Sequence, residues 1–499
     1  MPTHKRNPKS EGATCGILLP VLICIIQLAS TQLAKADVTL PNVIGNNMVL
    51  QRERAVPIWG WAAPGEKVTV KFKDQERTAV ADSQGRWEVR LKSLKASADS
   101  ADLSITGSNQ IILTNILVGE VWLCSGQSNM EKPIGKQGGQ KPTKNYQEEL
   151  KSGDLYPTIR FFKAARVLAP TPTNNVAGQW SVCSSNSLEA VKFSAVGYFF
   201  GREIEKDLNV PIGLVESSWG GTRIEPWTPP VGFQAVSKLS ELATPIDANK
   251  KLSNTVPMAI YNGMVAPLVP FAIRGALWYQ GESNCSDSHD RVTYADKMEA
   301  LIKGWRKVWG EGDFPFYYVQ LAPYKYFDVP KPRVLNAEAL PAIWEAQTDA
   351  LRIPNTGMVV ITDLVDDLKD IHPTRKLEVG QRLALIALAR DYGKKDVVYS
   401  GPMFKSMRVR DGKAVLSFTH AKDGLINNDG QPLTWFTLAG EDGKFVPGEA
   451  QIVGDTVVVS NANVREPKAV RFAWNESAQP NLFNKAGLPA SPFRTDRPE

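Results

Sequence analysis

At 499 residues the chain is too long for one ordinary domain, and two or three are expected. Its 43% hydrophobic and 22% charged residues are normal for a soluble globular protein. The net charge of +6 is halved once the first 36 residues are set aside, where Lys5, Arg6, Lys9 and Lys35 stand against Glu11. The remainder is too mild for nucleic-acid binding, and no long basic block appears.

Residues 1–36 read as a signal peptide. Lys5, Arg6 and Lys9 form a positive region, Gly16 to Ala29 is a short apolar core, and Ala34-Lys35-Ala36 supplies small residues before a cut at Asp37. The apolar run falls short of the roughly 20 residues a membrane span needs. No later segment is long and apolar enough either, so a secreted or periplasmic chain without membrane insertion is expected. Cys15 and Cys24 leave with the leader, and Cys124, Cys183 and Cys285 allow at most one disulfide. No pair of cysteines or Cys/His set has zinc-ligand spacing, so no metal is expected.

From 37 to 110 short alternating segments such as Lys67 to Lys73 and Trp87 to Leu91, separated by Ala63-Pro64-Gly65 and Asp82-Ser83-Gln84-Gly85, predict a small β module. Residues 111–394 change character. Apolar runs at Ile212–Val215, Ile273–Tyr279, Phe316–Leu321 and Met358–Ile361 end in polar or Gly-rich segments and alternate with amphipathic stretches. One such stretch places Met298, Leu301, Ile302, Trp305, Val308 and Trp309 on a single stripe. The alternation predicts an α/β domain with a parallel sheet covered on both faces, whose ligand site lies at the carboxyl ends of the strands. Residues 395–499 return to a β pattern, as in Lys413–Phe418 and Thr456–Val459.

Four clusters carry chemistry. In Trp122-Leu123-Cys124-Ser125-Gly126-Gln127-Ser128-Asn129-Met130 an apolar strand runs into a turn that presents Ser128, the placement a nucleophilic serine needs; a plain strand-end serine fits the same words. In Ser217-Ser218-Trp219-Gly220-Gly221-Thr222-Arg223-Ile224-Glu225-Pro226-Trp227 the paired glycines permit close backbone approach to a ligand. Arg223 and Trp227 suit a sugar, or are a surface cation and a core ring. Gln280, Glu282 and Asn284 stand at the end of a third strand. In the fourth cluster, Asp370-Ile371-His372-Pro373, scarcity helps. Past the leader only His289, His372 and His420 remain, and only His372 follows an acid by two residues in a region leading to a helix.

Taken in order, WLCSGQSNM, SSWGGTRIEPW, WYQGESN and DIHP with KLEVGQRLA resemble the sialate O-acetylesterase family of the SGNH-hydrolase superfamily. The resemblance implies a flavodoxin-like α/β/α SGNH-hydrolase domain, flanked here by the N-terminal and C-terminal β modules. It implies a serine esterase acting on an acetylated sugar, most directly O-acetylated sialic acid, without cofactor. Ser128 is then the nucleophile, His372 the general base and acid, and Asp370 the acid that orients it, with Asp366 and Asp367 as substitutes. The oxyanion hole is expected from the backbone of Ser128 and of Gly220 or Gly221, with the Gln280 side chain, or Asn284 in its place. Arg223, Glu282, Asn284 and Trp227 are expected to bind substrate, Arg223 through a sialate carboxylate. An acetyl-xylan esterase of the same mechanism and a non-catalytic carbohydrate-binding protein are the alternative functions.

Overall fold

The computed structural model describes residues 37–497 apart from 248, 250, 288 and 289. The leader expected at 1–36 and the candidate His289 lie outside the described residues.

Strands β1 (Val49–Gln51), β2 (Val56–Trp61), β3 (Lys67–Phe72), β4 (Gln75–Val80), β5 (Arg86–Leu91) and β6 (Ser97–Thr106) form the N-terminal module. Their alternation is that of a half-buried sheet: in β3, Val68, Val70 and Phe72 are buried while Lys67 and Lys71 face out. The next strand, β7 (Gln110–Gly126), runs for 17 residues. Its first part pairs antiparallel with β6 and parallel with β1. Its second part is the middle of a parallel sheet completed by β8 (Ile159–Lys163), β9 (Trp180–Val182), β10 (Ile212–Ser218), β11 (Gly275–Tyr279), β12 (Phe316–Val319) and β13 (Thr356–Val359). The order is β13-β12-β11-β7-β10-β8-β9, and β9 alone runs antiparallel to its neighbour.

Every residue of β10, β11 and β12 is buried, as expected of strands covered on both faces. The helix Ala195–Leu208 packs beside the helix Lys376–Arg390. On that face Trp122 meets Phe200 edge-on at 4.9 Å and stacks on Tyr317 at 5.8 Å. Trp278 points the other way and meets Trp305 of the helix Asp290–Trp309 at 5.8 Å. The expected α/β/α arrangement is therefore present.

The module boundaries differ in kind. One hydrophobic core runs continuously from Val38 to Leu388, so the N-terminal module shares its core with the central domain. The boundary expected at 110/111 falls inside β7. The C-terminal module instead has its own core, with Leu416, Leu438, Val457 and Phe472 fully buried. Ion pairs join it to the helix Ala339–Asp349: Arg494 to Glu345 at 2.8 Å and Arg497 to Asp349 at 2.7 Å. Cys124, Cys183 and Cys285 are buried, and no disulfide joins any two of them.

The end of β7 leaves no room for a side chain. Gly126 has φ 140°, and a Cβ there would lie 2.1 Å from the Tyr279 carbonyl oxygen. Gly126→Ala is expected to destabilise the fold by about 3 kcal/mol, since both the backbone conformation and the β11 carbonyl oppose it. A urea melt reads this as a lowered midpoint.

Candidate active site

Each of the four sequence clusters leaves a sheet strand at its carboxyl end or follows one, and they converge. After Gly126 the chain turns into the short helix Ser128–Glu131, with the Gln127 N–H donating to the Tyr279 carbonyl at 2.9 Å. Ser128 is the first helical residue and is half-buried. After β10 the Trp219 N–H donates to the Gly126 carbonyl at 3.0 Å, which sets Gly220 directly against the serine. A Cβ on Gly220 would stand 3.2 Å from Ser128 Cβ. Gly221 follows with φ 75°, a conformation that favours glycine. Ser128, Gly220, Gly221, Glu282 and His372 line one cavity of about 510 Å³.

His372 lies in the long connection between β13 and the helix Lys376–Arg390. Asp370 Oδ1 accepts from the His372 backbone N–H at 2.9 Å, while its distance to His372 Nδ1 is 3.9 Å. The carboxylate therefore shapes the turn and is one short movement from the imidazole, outside hydrogen-bond range. Asp367 is exposed and pairs with Lys141, and Asp366 accepts from Thr374 Oγ1 at 2.7 Å. Burial lowers the His372 pKa to about 4, helped by the charges of Lys376 and Lys132 and opposed by Asp370. Burial likewise brings Lys376 to about 7 and Lys132 to about 8.

Three expected site residues sit behind the cavity. Gln280 is fully buried: Nε2 donates to the Thr222 carbonyl and Asn284 Oδ1, and Oε1 accepts from Tyr294. Asn284 is also fully buried, accepting from the Ile224 N–H and donating to Glu225 and Asp290. The expectation that either amide reaches an oxyanion is corrected by this engagement. Trp227 is a core ring with its indole N–H on Thr222, so it offers no sugar platform. Arg223 lies in an adjoining cavity with Asp287 and Arg333, already paired with Glu225, Asp287 and Asp290.

Other residues line the cavity that sequence reasoning missed. The Glu131 carboxylate accepts from the Gly220 N–H at 2.9 Å, so this expected oxyanion donor is covered. Arg166 holds the other Glu131 oxygen through Nε at 2.9 Å and through Nη2, and lies 5.7 Å from the Trp219 ring. Tyr326 and Arg333 line the same cavity. Glu131 had a signal, three residues after the serine on the same helix. Arg166, Tyr326 and Arg333 come from loops with no motif around them.

The comparisons with known proteins agree with this architecture. Residues 118–389, more than half of the chain, match the family model described as carbohydrate esterase, sialic acid-specific acetylesterase. The chain is 29% identical to the sialate O-acetylesterase of Homo sapiens over 97% of its own length and 96% of that protein. It is 28% identical to that of Mus musculus over 97% and 98%. Its structure is similar to that of a carbohydrate acetylesterase from Xanthomonas citri, with a TM-score of 0.82, 36% identity, and coverage of 92% of this chain and 100% of that one. The chain belongs to the sialic acid-specific acetylesterase family of carbohydrate esterases and is a carboxylic ester hydrolase.

Proposed function

We propose that this esterase removes O-acetyl groups from sialic acid through an acetyl-enzyme formed on Ser128. The observation that carries the reading is the meeting of Ser128 and His372, far apart in sequence, on one cavity beside Gly220, which packs against the serine, and Gly221, which has a positive φ. Ser128 Oγ attacks the acetyl carbonyl while His372 takes its proton. Asp370 closes from 3.9 Å onto Nδ1 as the imidazolium forms, a tightening typical of catalytic hydrogen bonds. The tetrahedral oxyanion is held by the backbone N–H groups of Ser128 and Gly221. The sugar alcohol departs with the proton, and water activated by His372 then hydrolyses the acetyl ester of Ser128.

A neutral acetylated polysaccharide, such as acetylated xylan, is the second reading. It is favoured by Arg223, whose Nη2 already meets three carboxylates that offset its charge toward a sialate carboxylate. Acetate release from O-acetylated sialic acids and from acetylated xylo-oligosaccharides separates the two.

Three outcomes are expected. Ser128→Ala loses roughly 10³-fold or more in kcat on a chromogenic acetyl ester; a rate equal to wild type sinks the mechanism. The base works as neutral imidazole, so a pKa of about 4 leaves kcat/KM level from neutrality down to about pH 5, with the fall below that, where protonation removes the base. A pH-rate profile that falls near 6.5 instead contradicts the buried, cation-flanked setting of His372. The same reading has the chain exported through residues 1–36, so N-terminal sequencing of protein recovered outside the cytoplasm is expected to begin at Asp37.

A further inference from the structure

The residue after Ser128 and the residue before His372 are hydrogen-bonded to each other. Asn129 Nδ2 donates to the Ile371 carbonyl at 3.0 Å. The same nitrogen donates to Glu282 Oε1 at 2.5 Å, and Asn129 Oδ1 accepts from Lys376 Nζ at 2.6 Å. All three side chains are buried, Asn129 to 1%, Glu282 to 6% and Lys376 to 0% exposure. They arrive on three separate elements, the helices Ser128–Glu131, Glu282–Cys285 and Lys376–Arg390.

Chemistry dictates which way the amide points. A lysine nitrogen is a donor here, so it must meet Oδ1, which turns both Nδ2 protons toward the two acceptors, Glu282 and the Ile371 carbonyl. Turning the amide over would leave buried polar atoms facing their own kind, at a cost of about 1–3 kcal/mol for each unpaired group. Lys376 is held in place from the other side by the Tyr279 ring, 5.0 Å from Nζ. The turn bearing His372 is thus pinned twice through its backbone, at the Ile371 carbonyl by Asn129 and at the His372 N–H by Asp370, while the imidazole has no hydrogen bond to Asp370.

We infer that Asn129 is a positioning residue that sets the nucleophile against its base, with Glu282 and Lys376 holding its amide in the required sense. This rests on the reading of Ser128 as nucleophile. Asn129 touches no substrate; it acts through the backbone of the 370–372 turn. The coupling is direct because its own backbone neighbour is Ser128 and its hydrogen-bond partner's neighbour is His372.

The test compares wild type, Asn129→Asp, Lys376→Met and Ser128→Ala on 4-nitrophenyl acetate, with the rate of covalent labelling by a fluorophosphonate measured in parallel. Asn129→Asp keeps the shape but sets an acceptor against the two acceptors. It is expected to lower kcat by roughly 10²-fold, the scale of an ångström's misplacement, with KM little changed. The labelling rate is expected to fall by the same factor, because labelling needs the same pair of groups. Lys376→Met frees the amide to turn and is expected to lower kcat by about 10-fold, again with KM unchanged. It decides the question should Asn129→Asp fail to fold. Wild-type kcat and labelling in a folded Asn129 variant, or in Lys376→Met, overturns the inference. So does a variant that melts earlier while labelling at the wild-type rate. Ser128→Ala separates the two readings: activity retained there removes the nucleophile assignment, whereas its loss beside an unaffected Asn129→Asp removes only the positioning role.

Discussion

The molecule is organised around a buried charge. Glu120 lies in the middle of β7 with no solvent exposure, at the point where the strand passes from the N-terminal module into the parallel sheet. Burial alone would raise its pKa, but Arg274, then Arg52 and Gln51, hold it below the ordinary carboxylate value. Arg274 makes a two-pronged contact at 2.7 and 2.9 Å, Gln51 donates at 3.1 Å, and Tyr392 closes the set at 3.1 Å. Gln51 and Arg52 come from the first module, Arg274 from the approach to β11, and Tyr392 from the end of the last sheet-covering helix. A buried carboxylate stripped of one such partner is left uncompensated, so all three segments are bound to one position on β7. The continuous core from Val38 to Leu388 follows from this: the modules are joined by a strand that neither can release.

The same economy of charge governs the active site. Glu131 is paired with Arg166, Arg223 with Asp290, and Lys297 with Glu225 and Asp290. Lys376 lies in the field of Glu282, whose own pKa burial pushes up. Few charges are left over for the cavity. Burial, and after it the charges of Lys376 and Lys132, keep the His372 imidazole neutral. The N–H of Gly220 fits the same pattern, being satisfied by the Glu131 carboxylate.

What the sequence disclosed follows from the range over which each signal acts. The strand-then-polar-turn pattern is local, so Ser128, the Gly220-Gly221 pair and the parallel sheet were legible. His372 was legible by scarcity. Side-chain direction at a strand's end was not. Gln280 and Glu282 are two apart in one motif, yet Gln280 turns into a buried network with Tyr294 while Glu282 lines the cavity. Trp227 reads as a sugar platform or as core from its neighbours alone, and only the packing of the helix Asp290–Trp309, whose Trp305 donates to the Trp227 carbonyl, decides for the core. Arg166, Tyr326 and Arg333 could be found only once the loops carrying them had been placed in space. The boundary drawn at 110/111 lies within β7 for the opposite reason. β7 passes from one set of neighbours to the other as a single unbroken strand, its burial turning continuous with no break to mark a boundary.

The separate C-terminal core raises the question of why that module is attached at all, and its contacts answer it. Glu476 is buried and accepts from three successive backbone N–H groups, those of Tyr326, Phe327 and Asp328, at 2.9 to 3.0 Å. Three residues further on, Gln479 Nε2 donates to the Val365 carbonyl at 2.8 Å. The first contact fixes the loop that brings Tyr326 to the cavity, and the second fixes the start of the segment that ends at His372. Between them the Lys325 N–H donates to the Leu368 carbonyl at 3.0 Å, tying the two loops together. Loops of this length order only where something outside them satisfies their backbone. Here a short stretch of the C-terminal module does so for both at once. Ser128 and His372 are thus held by different parts of the fold, and the hydrogen bond from Asn129 to Ile371 is where those parts meet.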